Sequence, residues 1–97
     1  MPAENTPNVN VYYAKDLTPE QIAILGIAVM SVSSHQRSSL GRDSAKKLAL
    51  TDVIGLAVRN NCDKIVVHRM DSRHGLDPLY AGHADCEADL YRSRTVH

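Results

Sequence analysis

Three consecutive β-branched residues, Ile65, Val66 and Val67, restrict the fold more than any other feature of the sequence. Neighbouring side chains in a strand point to opposite faces, so such a run predicts a strand that is buried on both faces. The segment "CDKIVVHRM", residues 62 to 70, is therefore predicted to be a central strand of a sheet. Polar residues from His68 to His74 follow, and they indicate where this strand reaches solvent.

A second strand is predicted near the start of the chain, in "NVNVYYAK", residues 8 to 15. Val9, Val11 and Tyr13 alternate there with more polar neighbours, which is typical of a strand with one face toward the core. The preceding residues 1 to 8 contain two prolines and two asparagines and are expected to be a frayed terminus.

Two helices are predicted between these strands. Thr18, Pro19 and Gln21 form the sequence signature of a capping box, which predicts a helix over residues 19 to 32. A second helix is predicted over residues 44 to 60, because small and apolar residues recur there at steps of three and four. Asp43 or Ser44 can cap its start, and Asn60 and Asn61 suit a left-handed helix end.

The remaining segments lack a clear period. Residues 31 to 43 are rich in serine and are expected to be a polar connector. Residues 71 to 89 are expected to be a long irregular loop, and "LYRSRTVH" at the end is a possible edge strand. The fold class expected for this single domain, residues 1 to 97, is therefore α/β or α+β. It is a small two-layer fold in the order strand–helix–helix–strand, with both helices on one face of a short sheet.

Composition excludes several classes of protein. Eleven basic residues balance eleven acidic ones, which argues against generic binding to nucleic acid or to an anionic membrane surface. The start of the chain has no secretory-signal pattern, and the longest apolar run, Ile22 to Met30, is too short to span a membrane. We therefore expect a cytoplasmic protein in which Cys62 and Cys86 are free thiols.

The first predicted helix is also a predicted subunit interface. The chain contains no Phe or Trp, so its core has little bulk per residue and extra burial between subunits is favoured. The segment "IAILGIAVM" is apolar all round and leaves no side of a helix suited to solvent. A homo-oligomer formed through the helix over residues 19 to 32 is the expected assembly.

A binding site for an anionic ligand is predicted from four arginines. Arg37 and Arg42 lie in the serine-rich connector, and Arg69 and Arg73 follow the central strand beside His74. Guanidinium groups bind phosphate and carboxylate through paired hydrogen bonds, and the ring of Tyr12 can stack on a base. The leading interpretation is a non-enzymatic binding or inhibitory module for a protein or a nucleotide-like anion. Short, neutral chains of this kind are common among viral accessory proteins.

A zinc-stabilised domain is the alternative. His83 and Cys86 have the two-residue separation at which two ligands can meet one ion. His74 and Cys62 would complete a tetrahedral set that holds the long loop in place. Zinc is the only cofactor that the sequence suggests.

A small hydrolase or phosphoryl-transfer enzyme is a third possibility. Asp71 would orient His74 as a base for Ser72, and Arg69 or Arg73 would hold the anion. None of the common nucleophile-elbow, phosphate-loop or zinc-protease motifs is present, and adjacent residues of an extended chain point in opposite directions. A non-enzymatic role is therefore preferred.

Overall fold

The computed structural model describes residues 9–77 and 79–93. The chain starts with strand β1 (Asn10–Tyr13), a 3-10 turn (Ala14–Asp16) and the short helix α1 (Pro19–Ala23). Strand β2 (Ile27–Ser38) and the long helix α2 (Arg42–Arg59) follow. The two longest strands come last, β3 (Lys64–Asp77) and β4 (Tyr80–Arg92).

The four strands of the described residues form one mixed sheet in the order β1-β3-β4-β2. β1 runs parallel to β3, whereas β4 is antiparallel to both of its neighbours, β3 and β2. The fold is therefore a small α+β one. β3 has a neighbour on each side and buries Ile65, Val66 and Val67 completely or almost completely, which confirms the predicted central strand. The predicted strand–helix–helix–strand order is wrong, because β2 replaces the later part of the first predicted helix and most of the connector, and β4 replaces much of the predicted loop.

The core lies between α2 and one face of the sheet. α2 contributes four fully buried small side chains at intervals of four residues, Ala45, Ala49, Val53 and Ala57. They pack against inward-facing residues of β3 and β4, among them Ile65, Val67, Cys86 and Leu90. The alanines let the helix backbone approach the sheet closely, so a core without large aromatic side chains still packs.

The second predicted helix is confirmed, with shifted ends. α2 starts at Arg42, and its N-cap is Gly41 with φ 113°, in place of the predicted Asp43 or Ser44. This position favours glycine, because residues with a side chain rarely adopt such a φ. The C-cap is Asn60, and Asn61 has φ 59°, so the left-handed helix end is confirmed.

The first predicted helix, residues 19 to 32, is wrong beyond its first turn. The capping box forms: Thr18 N donates to Gln21 Oε1 at 2.8 Å, and Gln21 N donates to Thr18 Oγ1 at 3.1 Å. α1 nevertheless ends at Ala23; Gly26 adopts φ 146°, and the chain then enters β2 at Ile27, where its strand partners are in β4. This segment is therefore a short helix, a turn and the start of β2, and a subunit interface formed through it stays a prediction.

The predicted connector at residues 31 to 43 and the predicted loop at residues 71 to 89 are also wrong. The first belongs largely to β2, and the second is the β3–β4 hairpin. β4 alternates small inward residues with acidic outward ones, and alanine and cysteine are too weakly apolar to make that period obvious. β4 ends at Arg92 and is an inner strand, so the predicted C-terminal edge strand is not found there. Residues 94–97 and the predicted frayed terminus, residues 1–8, lie outside the described residues.

Among the described residues, neither helix combines the length and the apolar character that a membrane crossing requires.

Candidate functional site

The sheet face opposite α2 carries three rows of polar residues, which we call the polar face. Strand register places one residue each from β2, β4 and β3 in every row. The rows are Ser33–Glu87–Arg69, His35–Asp85–Asp71 and Arg37–His83–Arg73. Because side chains alternate along a strand, all of these groups project to the same side of the sheet.

Ion pairs across the strands neutralise most of the charge on this face. Arg69 Nη1 lies 3.0 Å from Glu87 Oε2, and Arg69 Nε donates to Asp71. Arg73 Nη1 lies 3.0 Å from Asp85 Oδ2, and the other oxygen of Asp85 lies 2.5 Å from His35 Nδ1. Hydrogen bonds from His35 and then Arg73 hold the pKa of Asp85 below its usual value. The arginines of β3 are therefore already bound to carboxylates.

A β-bulge at His68 adds one more polar cluster to this side of the sheet. The register passes from Val67↔Ala88 to Arg69↔Glu87, which leaves His68 as the extra residue. His68 Nε2 lies 2.7 Å from Asp89 Oδ2, and Ser31 Oγ donates to Asp89 Oδ1 at 2.5 Å. The carboxylate stands between the serine and the histidine, so the imidazole is not the base that would activate this hydroxyl.

The residues of the predicted enzyme site do not converge. Asp71 pairs with Asp85 on the polar face, where it accepts the hydrogen bond from Arg69. Ser72 pairs with the buried Ala84 and therefore faces the α2 side. His74 lies two residues after Ser72 in the same strand, so its side chain also points to the face opposite that of Asp71.

The four predicted zinc ligands are likewise separated. His83 lies on the polar face, where its ring centroid is 5.7 Å from that of His35, whereas Cys86 is buried under α2. Cys62 is buried beyond the end of α2, and His74 lies on β3 near the hairpin. Burial raises the pKa of both thiols. The described part of the chain holds no group of three His, Cys, Asp or Glu residues arranged for a metal ion. Zinc binding stays a prediction.

A cleft of about 430 Å³ lies where β1 ends and β3 continues; we call it the strand-end cleft. β1 stops at Tyr13, opposite Val67, and the chain turns away through the 3-10 turn. The residues that line the cleft are Tyr13, Lys15, Asp16, Lys46, Val67, His68, Arg69 and Met70. This is the carboxyl end of β1 in its parallel pair with β3, the position at which α/β sheets commonly bind ligands.

The charge around the strand-end cleft is predominantly positive. Lys15, Lys46 and Arg69 face a single acidic residue of the lining, Asp16. Arg69 is held by Asp71 and Glu87, but Lys15 and Lys46 make no ion pair with any other described residue. These two lysines were not predicted from the sequence. They come from the turn after β1 and from α2, and no local pattern relates them.

The six predicted ligand-binding residues are only partly brought together. Arg69 lines the cleft, while Arg37 and Arg73 lie farther along the polar face. Tyr12 pairs with Val66 and so belongs to the same side of the sheet. Two members lie elsewhere, His74 near the hairpin and Arg42 at the start of α2. The serine-rich segment that was predicted to be a binding loop is therefore mostly strand β2, and one of the six predicted residues, Arg69, lines the cleft.

Comparisons of the chain with protein-family models, with curated proteins and with solved structures found no match.

Proposed function

We propose that this chain is a small non-enzymatic binding module that holds a phosphate-bearing, nucleotide-like ligand in the strand-end cleft. One observation carries the proposal: Lys15 and Lys46, two cations without an ion-pair partner among the described residues, flank a cleft at the carboxyl end of a parallel strand. Elsewhere on this sheet Lys64 and Arg73 are paired with carboxylates, and Arg92 donates to backbone carbonyls at the end of α2. Two ammonium groups without such partners favour an anion that comes from outside the chain.

The electrostatic attraction would be local. The chain carries eleven basic and eleven acidic residues, so it has no overall field that gathers anions. Lysine ammonium groups are compact charges that bind phosphate without demanding a fixed angle. Arg69 adds a guanidinium whose direction is set by Glu87 and Asp71. The cleft therefore offers two ammonium groups to the anion, beside a guanidinium that Asp71 and Glu87 already hold.

Tyr13 supports a ligand that carries a ring as well as a phosphate. Its side chain lines the cleft and remains partly exposed. A tyrosine ring offers a stacking surface to a base or another aromatic group. A volume of about 430 Å³ lies within the range of small-molecule sites and is large enough for a mononucleotide.

Calorimetric titration of the full chain with inorganic phosphate and with AMP tests this proposal. We expect saturable binding of both ligands, weakened by salt, with AMP the tighter of the two. Lys15→Gln and Lys46→Gln should each reduce the affinity for both ligands by about ten-fold, the equivalent of one charge-assisted hydrogen bond. Tyr13→Leu should weaken AMP binding and leave phosphate binding unchanged.

Lys47→Gln is the matched control. Lys47 adjoins Lys46 on α2 and is exposed, but it does not line the cleft. Its substitution removes the same charge from the chain and should leave the affinity within two-fold of the original, roughly the scale of a surface charge effect. Equal losses for Lys46→Gln and Lys47→Gln, or no saturable binding of either ligand, would refute the proposal.

A further inference from the structure

The second edge of the sheet, formed by β2, points to an assembly with another copy of the chain. β2 is twelve residues long, Ile27–Ser38, and within the described residues it pairs with β4 alone. Its outer edge therefore has backbone donors and acceptors without a strand partner in that part of the chain. A long edge of this kind is a template for pairing with another strand.

The sequence of β2 lacks most of the features that protect edge strands. It contains no Lys, Asp, Glu or Pro, and Arg37 is its only residue with a formal charge. A register shift near Val29 disturbs its first residues, but the pairing from Met30 to Ser38 is regular. Within the part of the chain that the structure describes, nine consecutive residues are thus an edge without a strand partner and almost without charge.

The opposite edge of the sheet, formed by β1 and the later part of β3, carries features that protect it from pairing with another strand. β1 has only four residues and is followed at once by the 3-10 turn. Beyond Val67, the free edge of β3 carries the His68 bulge and the charged residues Arg69, Asp71 and Arg73. Short strands, bulges and charges are the usual devices against edge pairing. They are concentrated on one edge of this sheet and are largely missing from the other.

Exposed apolar side chains accompany the β2 edge. Ile24 is 81% exposed in the turn before the strand, and Ile27 and Met30 are 54% and 39% exposed within it. Burial of such surface favours association. These residues belong to the segment that the sequence predicted to be a subunit interface, although they form a turn and a strand and not a helix.

We infer that two copies of this chain pair antiparallel through their β2 edges and form one continuous eight-stranded sheet. An antiparallel strand edge is complementary to itself under a two-fold axis, because its donors and acceptors alternate. A two-fold axis at Ser34 uses the whole regular run, with Met30 of one copy opposite Ser38 of the other. Arg37 then faces Ser31 of the second copy, so the only formally charged residue of the strand does not meet its equivalent.

The two-fold axis also fits the layers of the fold. An axis perpendicular to the sheet places both α2 helices on the same side and joins the two polar faces on the other side. Each strand-end cleft stays at the far edge of the joined sheet, because it lies beside β3 beyond the end of β1. Ligand binding in the cleft and pairing through β2 are therefore separable in experiments.

Sedimentation equilibrium of the full chain and of Ser33→Lys tests the inference. Ser33 is exposed on the polar face, and its neighbour Glu87 makes a lysine compatible with the single chain. In the inferred dimer, Lys at position 33 in the two copies would be diagonal neighbours about 7–8 Å apart. We expect twice the mass of one chain for the original protein, and a dimer dissociation constant raised at least about ten-fold in Ser33→Lys by like-charge repulsion.

Two control variants separate this edge from other surfaces. Ser39→Lys adds the same charge just beyond the end of β2, and Leu48→Lys alters an exposed apolar position of α2. Both should keep the original dissociation constant, and circular dichroism should show the same fold for all variants. A single-chain mass at every concentration would overturn the inference. So would an unchanged dissociation constant in Ser33→Lys, or a loss of the dimer in Leu48→Lys instead.

Discussion

The Nδ1 atom of His35 on β2 lies 2.5 Å from the Oδ1 atom of Asp85 on β4. The second oxygen of Asp85 accepts a hydrogen bond at 3.0 Å from Arg73 on β3, so one carboxylate links three neighbouring strands. These contacts lie on the polar face, and they join side chains of neighbouring strands that the backbone hydrogen bonds of the sheet do not connect. The acidic residues of β4 therefore contribute to the cohesion of the sheet.

The first prediction concerns the pH dependence of stability. The pKa of Asp85 is lowered in the folded chain, so its contribution is complete above the unfolded pKa of about 3.9 and is lost as the pH falls through the folded value. We expect Asp85→Asn to reduce the free energy of unfolding by about 1 kcal/mol or less at pH 7, as for a partly exposed ion pair. The difference from the original chain should shrink as the pH falls below the unfolded pKa and should vanish once Asp85 is protonated in the folded chain.

Urea unfolding from pH 7 down through the acid range below the unfolded pKa of Asp85 measures this effect. Asp52→Asn on α2 is the control, because Asp52 makes no ion pair with another described residue and its substitution should have little effect throughout. A difference between Asp85→Asn and the original chain that keeps growing as the pH falls below the unfolded pKa of about 3.9 would contradict the assigned role of this carboxylate.

The second prediction concerns the core between α2 and β4. Leu90 is fully buried and is among the largest completely buried side chains. Leu90→Ala should lower the free energy of unfolding by about 2–5 kcal/mol, through lost burial and the cavity left behind. Leu40→Ala makes the same substitution in a turn where the side chain is 84% exposed, and it should change stability by about 0.5 kcal/mol or less. Similar losses in chemical denaturation would show that the assigned core is incorrect.

The third prediction contrasts two glycines. A Cβ on Gly82 would lie 2.1 Å from the backbone nitrogen of Arg42, so Gly82→Ala should force β4 away from the start of α2. We expect a loss of about 2 kcal/mol or more, within the range for overpacked sites. Gly55 lies inside α2 with open space around its Cβ position, and Gly55→Ala should add about 0.5–1 kcal/mol. Thermal unfolding should therefore shift in opposite directions, and shifts of the same sign would disprove the described packing.

The fourth prediction concerns the two thiols. Cys62 and Cys86 are buried, and burial raises the pKa of each, so little reactive thiolate is present at pH 8. We expect reaction with a disulfide reagent to be slow in the folded chain and fast in denaturant. A chelator added to the folded chain separates burial from metal binding. Unchanged rates would indicate burial alone, and faster rates with release of zinc would support the zinc prediction.

Strong local sequence patterns were sufficient to predict two of the main elements, the central strand and α2. The run Ile65 to Val67 identified the central strand, because only burial on both faces suits three adjacent β-branched side chains. α2 was identified by the helical spacing of its small and apolar residues, among them Ala45, Ala49, Val53 and Ala57, which are buried. β4 was missed because its inward positions are occupied by alanine and cysteine, whose weak hydrophobicity hides a period of two.

The candidate site was predictable only in part. Arg69 was identified because it follows the central strand, and it does line the strand-end cleft. Lys15 and Lys46 are thirty-one positions apart in the sequence and carry no shared pattern, so their proximity depends on how α2 packs against the sheet. Likewise, His74 and Asp71 looked like partners, but strand parity sends them to opposite faces.

Local patterns in the sequence are enough to predict where α2 forms, which strand is central, and that the first helix starts at a capping box. Those features depend on interactions within a few residues or on simple burial. Tertiary structure alone decided that the apolar residues after Gly26 extend as a strand, because their hydrogen-bond partners are in β4, more than fifty residues away. It also decided which cations remain without a carboxylate, since that balance depends on pairing across strands and not on neighbours in the chain.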